Sequence, residues 1–193
     1  VISMPEKNQR TYLSDLKHFD FVCLQHGVIY NDLSSWMQKF YKKIDLFITS
    51  GFPEQKSIID NYLYTEDEVK ITGIARFDNL VNDCKRQIVI LPTWRRNIKE
   101  SYDSHTQSIY FDGFRETEFF KFYNSLINDE RLLKVMREKG YTGIFCLHPI
   151  QSEQWVDFEA NDVFSINPGF VNYPKIFSES DLMITDYSSV FFD

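Results

Sequence analysis

Short apolar, β-branched runs alternate along the chain with segments whose apolar residues recur at helical spacing. These runs have the composition of buried strands, and they are Phe19–Leu24, Asp45–Thr49, Val69–Thr72, Gln87–Leu91, Gly143–Leu147 and Asp181–Thr185. Strands that alternate with helices form parallel sheets whose two faces are both covered. The pattern therefore predicts an α/β fold.

Helix signals lie between the first predicted strands. Ser34 and Ser35 predict the cap of a helix that continues to Lys43. Pro53 suits the first turn of a second helix, which ends near Tyr62, because the N–H that proline lacks has no helical partner there.

A longer helical pattern covers the stretch from Glu116 to Lys139. Asn128 and Asp129 predict a break within it and a cap for its second half, and Gly140 is placed to end it. The preceding stretch, Asn97–Phe114, has no periodicity and is predicted to be a surface loop.

Composition narrows the possible classes of protein. The chain has 193 residues, of which 43% are hydrophobic and 17% aromatic, so it can bury the core of one large domain or of two small α/β lobes. The net charge of -7 argues against a nucleic-acid partner, since such proteins usually present a basic face. A few placed arginines can still attract an anionic small ligand.

Cys23, Cys84 and Cys146 are far apart and form no C-x-x-C pair, so neither a zinc site nor a disulfide framework is expected. Cys23 and Cys146 lie in apolar runs and are predicted to be core residues, which fits the reducing cytoplasm. No apolar run approaches the ~18–20 residues that a bilayer-spanning helix needs. Because the chain begins at Val1 and ends at Asp193, directly after two phenylalanines, we expect it to be a fragment of a longer protein.

Polar groups follow five of the predicted strands. Ligands of open parallel sheets bind at the carboxyl ends of the strands, so these groups are the candidates for function. They are His26 with Gly27, Arg76, Thr93 with Trp94 and Arg95, His148, and Asp186 with Tyr187, Ser188 and Ser189.

Each group has a functional and a structural interpretation. An unperturbed imidazole titrates at ~6.5, so His26 could accept a proton near neutral pH, but a histidine at a strand end also serves as a structural hydrogen-bonding residue. Arg76 and Arg95 together match a diphosphate, whereas either one alone could form a surface salt bridge. Ser188 precedes an apolar run and predicts a helix N-terminus, which would hold an anion or be capped in the ordinary way.

Several common signatures are missing from the chain. It has no P-loop, no G-x-G-x-x-G fingerprint, no D-x-D pair of the kind that binds a metal-bound nucleotide, and no G-x-S-x-G nucleophile elbow. Neither a metal nor a cofactor is therefore expected.

Five motifs, taken in order, resemble those of the CDP-glycerol glycerophosphotransferase family. Leu24–Gly27 resembles the family's His-Gly motif, and Thr72–Asp78 is similar to its T-G-x-P-R-x-D, with Ala75 where proline is usual. The other three are Pro92–Arg95 for P-T-F/W-R, Leu147–Pro149 for the second His motif, and Asp181–Asp193 for the A-D-x-x-I-T-D-Y-S-S-x-x-x-D signature, with Ser180 in place of alanine. Each motif alone is weak, but the ordered set extends from Leu24 to Asp193.

The resemblance implies a GT-B architecture, with two Rossmann-like lobes built on parallel sheets and the active cleft between them. Residues 1–83 would form part of the acceptor-side lobe, which carries the His-Gly motif. Residues 84–193 would form the N-terminal part of the nucleotide-donor lobe, and the polar segment Val81–Arg86 would link the two.

The resemblance also implies roles for the site residues. His26 would be the general base, and His148 would be the second catalytic histidine, beside the pyrophosphate. The residues implied to bind substrate are Gly27, Val28, Ile29, Tyr30, Arg76, Thr93, Trp94, Arg95, Ser188, Ser189 and Asp193. Within this set, the two arginines would contact the pyrophosphate, the two serines would hold phosphate at a helix N-terminus, and Asp193 would reach a donor hydroxyl.

The implied activity is transfer of glycerol phosphate from CDP-glycerol to a hydroxyl of a polyol-phosphate or glycan acceptor, with release of CMP. The family builds teichoic-acid-like or capsular polymers in the cytoplasm, at the inner face of the cell membrane, where the full-length protein would dock.

Two departures from the family pattern keep alternatives open. Cys146 stands where many members have arginine, two residues before the second histidine, and Val28–Asp32 replaces a segment that often holds proline and a basic residue. The alternatives are a GT-B nucleotide-sugar glycosyltransferase or a ribitol-phosphate transferase, and a non-catalytic nucleotide-binding module.

Overall fold

A computed structural model of the protein describes residues 19–95, 97–98, 101–102, 109–169 and 171–192. The chain forms two compact units. The first comprises the described residues up to Asp78 together with Phe192, and the second spans Asn79–Phe191. Each unit has its own parallel β-sheet, so the predicted α/β class is confirmed.

The sheet of the first unit has the strand order β1-β2-β3, and its strands run parallel. The strands are β1 (Val22–Cys23), β2 (Leu46–Thr49) and β3 (Val69–Ile71). The short helices α1 (Ser34–Met37) and α2 (Lys39–Lys42) connect β1 to β2, α3 (Phe52–Tyr62) connects β2 to β3, and a 3₁₀ helix (Ala75–Asn79) follows β3. The carboxyl ends of the three strands therefore share one edge.

Two predictions for the first unit need correction. The strand predicted over Phe19–Leu24 is shorter, because only Val22 and Cys23 pair with β2, while Phe19 and Leu24 are exposed. The helix predicted from Ser34 to Lys43 is broken at Gln38, where ψ is 149° and the backbone is extended. Neither serine caps it, and the first helical turn is instead held by Asp32, whose Oδ1 accepts a hydrogen bond from the Ser34 N–H.

The sheet of the second unit has the order β8-β7-β4-β9, again parallel. Its strands are β4 (Gln87–Leu91), β7 (Thr142–Cys146), β8 (Phe164–Asn167) and β9 (Ser180–Thr185), and β5 (Ser101–Tyr102) pairs antiparallel with β6 (Ile109–Tyr110). The α-helices are α4 (Glu118–Ile127), α5 (Glu130–Lys139) and α6 (Tyr173–Glu179), and 3₁₀ helices cover Phe114–Glu116, Pro149–Asp157 and Ser189–Phe192.

The central strand β4 is buried on both faces. Ile90 packs with Phe145 in one apolar cluster, whereas Val89 and Leu91 pack with Cys146 in another. Alternate residues of a strand point to opposite faces, so these two clusters are the two sides of one covered sheet. This is the burial that the continuous apolar runs predicted.

The helical pattern after Glu116 is confirmed in detail. The Asp129 carboxylate caps α5 by accepting from the N–H groups of Arg131 and Leu132, and Gly140 ends that helix with a left-handed φ of 68°.

The surface loop predicted over Asn97–Phe114 is wrong. Ile98 and Phe114 are buried in the core of the second unit, and the stretch includes the β5–β6 pair and the start of a 3₁₀ helix. Strand β8 was not predicted, because its two apolar residues alternate with Ser165 and Asn167 over only four positions.

Candidate functional site

In the sheet of the second unit, the order in which successive strands are added reverses between the neighbouring strands β4 and β9. The chain passes from β4 outward to β7 and β8, and then returns to the other side of β4 as β9. This is the order of the first four strands of a Rossmann sheet, whose ligands bind beyond the carboxyl ends of the strands at this point. Thr93–Arg95 follow β4 and Asp186–Ser189 follow β9, so the fold brings two of the predicted groups together.

The Asp186 carboxylate joins the loops that follow β4 and β9. The Thr93 N–H and hydroxyl donate to its Oδ1 at 3.1 and 2.5 Å, and Arg95 Nη2 donates to its Oδ2 at 2.8 Å. The Tyr187 N–H also donates to Oδ1 at 2.8 Å, and the Tyr123 hydroxyl on α4 lies 3.4 Å from Oδ2. Because both oxygens accept, the carboxylate is held in one orientation and fixes the two loops against each other.

Arg95 is the cation of this cluster, and its guanidinium is already engaged. Nη1 donates to the Thr93 carbonyl at 2.5 Å and to the Tyr187 hydroxyl at 3.0 Å, while Nη2 forms an ion pair with Asp186. The guanidinium carbon also lies 4.9 Å from the centre of the Tyr187 ring. The sequence left open a salt bridge as the alternative role of Arg95, and the structure contains one, with Asp186 as the partner. The side chain keeps 28% of its surface exposed.

The Asp186 ion pair leads to a prediction for stability against pH. Burial alone would raise the pKa of Asp186, but hydrogen bonds from Thr93 and Arg95 outweigh burial and hold that pKa below its usual range. The carboxylate therefore stabilises the fold above the unfolded-state value of ~3.9, and this contribution is lost as the pH falls through the folded-state value. We expect Asp186→Asn to lower the free energy of unfolding at neutral pH by ~1–2 kcal/mol and to reduce its decline in acid.

Urea denaturation of both proteins from about pH 3 to pH 7 measures this difference. Parallel curves for the two proteins across that range would show that Asp186 contributes nothing to acid sensitivity.

His148 follows Leu147, the first residue after β7, and lies beside Trp94, with the two ring centroids 6.4 Å apart. Its Nδ1 accepts a hydrogen bond from the Ile150 N–H at 3.2 Å, so the neutral imidazole carries its proton on Nε2. Surrounding protein atoms lower the pKa of His148 by burial, although the residue as a whole remains exposed. Near neutral pH, His148 therefore offers a hydrogen-bond donor rather than a positive charge.

Gly169 supports the backbone of the turn that carries His148. It has a φ of 91°, and a Cβ at this position would lie 2.3 Å from the Leu147 carbonyl oxygen. Only glycine fits here without moving the turn.

Ser188 and Ser189 follow the Asp186 cluster, and Ser189 is the first residue of a short 3₁₀ helix, Ser189–Phe192. The Ser188 hydroxyl accepts a long hydrogen bond, 3.5 Å, from the Val190 N–H, which is ordinary capping of a first turn. Within the described residues, the predicted helix N-terminus begins a single 3₁₀ turn. Asp193 lies outside the described residues.

His26 follows β1 in the first unit and is exposed. The residue before it, Gln25, has a left-handed backbone with a φ of 64°, which costs a non-glycine residue ~1–2 kcal/mol. Gly27 is buried, Val28 and Ile29 are half-buried, and Tyr30 is exposed. The surrounding structure therefore imposes the shape of this turn on the chain.

Arg76 lies in the 3₁₀ helix after β3, and its Nη1 donates to the His26 carbonyl oxygen at 2.6 Å. The first unit thus brings together two of the predicted residues, although 50 positions separate them in the sequence. The contact is to the backbone of His26 and leaves the imidazole untouched.

Two residues at these sites were not among the sequence candidates. Glu54 is buried on α3 and accepts a hydrogen bond from the Ile29 N–H, and Tyr123 lies beside the Asp186 carboxylate. Glu54 stands in the first turn of a helix, where acidic residues usually face solvent, and Tyr123 belongs to the apolar stripe of α4. Nothing in the neighbouring sequence distinguishes Glu54 from a solvent-facing acidic residue, or Tyr123 from a core residue.

Three further features concern the described part of the chain. None of its helices is long and apolar enough to cross a bilayer. In the same residues, no three His, Cys, Asp or Glu side chains converge as they would around a metal ion. Cys23 and Cys146 are buried, as predicted, and Cys84 is an exposed thiol.

The strand order of the second unit and the polar groups at its switch point define an α/β protein of the doubly wound class. Proteins of this class bind ligands at this edge of the sheet. The model of a family described as CDP-Glycerol:Poly(glycerophosphate) glycerophosphotransferase matches residues 3–193. The chain belongs to this family, as the five ordered motifs predicted, and the family's reaction is a group transfer.

A curated relative is the minor teichoic acid biosynthesis protein GgaB of Bacillus subtilis (strain 168). It is 39% identical over 192 residues, an alignment that covers 98% of this chain and 21% of GgaB. The chain thus spans about a fifth of the length of this relative.

A solved structure of a variant of the wall teichoic acid polymerase TagF, soaked with CDPG, is similar to the chain with a TM-score of 0.51 and 22% sequence identity. The match covers 77% of this chain and 36% of the TagF chain. At this level of identity, the match shows that the two share a fold.

Proposed function

We propose that the protein transfers glycerol phosphate from CDP-glycerol to a hydroxyl of a polyol-phosphate or glycan acceptor, in a teichoic-acid-like or capsular polymer, and releases CMP. The observation that carries this proposal is the match of residues 3–193 to the glycerophosphotransferase family. Two similar proteins that are named for teichoic acid support it.

In the proposed reaction, the imidazole of His26 accepts the proton of the acceptor hydroxyl. The hydroxyl oxygen forms a bond to the β-phosphorus of CDP-glycerol, and the bond from that phosphorus to the bridging oxygen breaks. The electron pair leaves with CMP. The exposed position of His26 at the end of β1 supports this role, because the base must be accessible to an incoming acceptor.

Negative charge gathers on the bridging oxygen as CMP leaves, and fixed donors stabilise it. We assign this role to Arg76, Arg95 and the Nε2–H of His148, each of which is worth ~3–4 kcal/mol where it is preorganised. The remaining binding assignments are Thr93 and Trp94 beside the nucleotide, Gly27, Val28, Ile29 and Tyr30 along the donor site, Ser188 and Ser189 at a phosphate, and Asp193 at a donor hydroxyl.

In this proposal, the two parts of the chain bind different substrates. Residues 1–83 serve the acceptor side and residues 84–193 the donor nucleotide, in a GT-B arrangement. Because the activated donor is a cytoplasmic nucleotide and the product is a surface polymer, we place the protein in the cytoplasm, peripheral to the inner face of the membrane.

Thermal denaturation of the full-length protein with CDP-glycerol, CDP-ribitol, UDP-glucose and CMP tests the donor assignment. A ligand at ~100 times its Kd stabilises the folded state by ~2.7 kcal/mol, which raises the Tm of a domain of ~150–250 residues by ~5–10 °C. We expect CDP-glycerol to produce this shift at the lowest concentration, followed by the product CMP.

Other outcomes would assign the alternatives. A larger shift with CDP-ribitol or UDP-glucose would indicate a ribitol-phosphate transferase or a nucleotide-sugar glycosyltransferase. A shift with CDP-glycerol, but no release of CMP in the presence of acceptor, would indicate a non-catalytic nucleotide-binding module.

A further inference from the structure

Charged side chains hold the segment His26–Ile29 at both of its ends. Arg76 Nη1 donates to the His26 carbonyl oxygen at 2.6 Å, and Glu54 Oε1 accepts from the Ile29 N–H at 2.7 Å. We infer that Glu54 and Arg76 are positioning residues, which clamp this segment and so fix the imidazole of His26 for proton transfer. The inference rests on the proposed function, in which His26 is the base.

Both oxygens of the Glu54 carboxylate accept hydrogen bonds. Its Oε2 accepts from the N–H and the hydroxyl of Ser50, at 2.6 and 2.8 Å, and its Oε1 accepts from Ile29. The residue is only 5% exposed. An ionised carboxylate only accepts hydrogen bonds, so it matches this set of three donors. It ties the end of β2 to the segment His26–Ile29.

The clamped segment has no regular structure to hold it. Between the end of β1 at Cys23 and the start of α1 at Ser34, the backbone is neither strand nor helix. Backbone polar groups in such a stretch depend on side chains for partners, and farther along the Leu33 N–H likewise donates to the Tyr62 hydroxyl at 2.8 Å. Gln25, whose backbone is left-handed, directly precedes the segment, so the shape of the segment relaxes when a clamp is removed.

The rate of proton transfer depends steeply on the position of the general base. A base must lie ~2.6–3.2 Å from the proton that it takes, and a displacement of ~1 Å can cost ~10²-fold in rate. The two clamps touch the backbone of the segment rather than the imidazole, so they act through His26. For Arg76, this is a role in addition to the proposed contact with pyrophosphate.

We expect Glu54→Gln in the full-length protein to lower kcat by ~10–100-fold. The glutamine keeps the side-chain volume, but its NH₂ group faces a donor, so either the Ile29 bond or the Ser50 bonds are lost. The acid limb of the pH–rate profile stays, because His26 remains the base.

Two variants serve as matched controls. Asp60→Asn makes the same chemical change at an exposed site on the same helix, and we expect wild-type kcat. Ser50→Ala removes one donor and leaves the Ile29 bond in place, so kcat changes less than threefold.

Amide hydrogen exchange measures whether the segment is held in place, and it needs no substrate. In Glu54→Gln, the Ile29 amide loses protection while the strand β2 amides keep theirs, and the imidazole NMR signal of His26 broadens. If Glu54→Gln does not fold, Arg76→Gln serves instead, because Arg76 is exposed, and the segment after His26 then exchanges faster. In the double variant Glu54→Gln with Arg76→Gln, the kcat losses are not additive, since both residues act on one segment.

Wild-type kcat together with unchanged Ile29 protection in folded Glu54→Gln would overturn the inference. Lost protection with wild-type kcat would overturn it too, because the clamp would then be structural only. Failure of the proposed function has a different signature: the wild-type protein would not turn over CDP-glycerol, and the exchange and imidazole signals would still decide whether Glu54 and Arg76 fix His26.

Discussion

In the full-length protein, His26→Ala is expected to lower kcat by ~10²–10⁴-fold, the range for a positioned proton acceptor. The affinity for CDP-glycerol falls much less, because the phosphates are assigned mainly to Arg76 and Arg95. The pH–rate profile also loses its acid limb, because the variant has no imidazole to accept the proton. The measurement is a pH–rate profile of both proteins, with melting temperatures taken on the same samples.

A structural histidine would behave differently at this position. Its removal would lower the melting temperature, and the variant that remains folded would still be active. His26→Gln is the matched variant, because it keeps a hydrogen-bonding side chain that cannot act as a base at neutral pH. If both variants melt normally and keep wild-type kcat, His26 is not the base and the mechanism proposed above is wrong, even though the fold remains.

The sequence predicted strands β4 and β9 well, because each contains a continuous run of apolar residues. Strand β4 has the predicted bounds, and β9 differs from its prediction by one residue at its start. The loops that follow them were thereby placed correctly, and with them the candidates Thr93–Arg95 and Asp186–Ser189. Strands β1 and β8 were harder to predict, since β1 pairs over only two residues and β8 carries polar residues at alternate positions.

Contacts between distant segments are the part that periodicity could not reveal. The apolar pattern reports which face of an element a residue occupies, but not which side chain lies opposite. The Arg95–Asp186 ion pair joins positions 91 residues apart, and the Glu54–Ile29 hydrogen bond joins positions 25 apart. Both arise from the parallel arrangement of strands, which brings the ends of several strands to one edge.

Arg95→Ala is expected to weaken CDP-glycerol binding by ~10²-fold, or ~2.7 kcal/mol, and to leave glycerol binding nearly unchanged. The loss has two sources, because the variant removes a donor to phosphate and also leaves the Asp186 carboxylate without its cation. Arg95→Lys recovers only part of the affinity, since one ammonium cannot reproduce the fork that now reaches Thr93, Tyr187 and Asp186. Isothermal titration calorimetry with each ligand measures these differences.

The double variant Arg95→Ala with Asp186→Asn separates the two sources. If Arg95 binds phosphate directly, removing the orphaned carboxylate relieves repulsion but leaves most of the ~10²-fold loss. If Arg95 serves only to neutralise Asp186, the double variant binds CDP-glycerol as tightly as the wild type. Near-complete recovery in the double variant, or equal affinity for wild type and Arg95→Ala, would remove Arg95 from the phosphate site and leave it as the structural partner of Asp186.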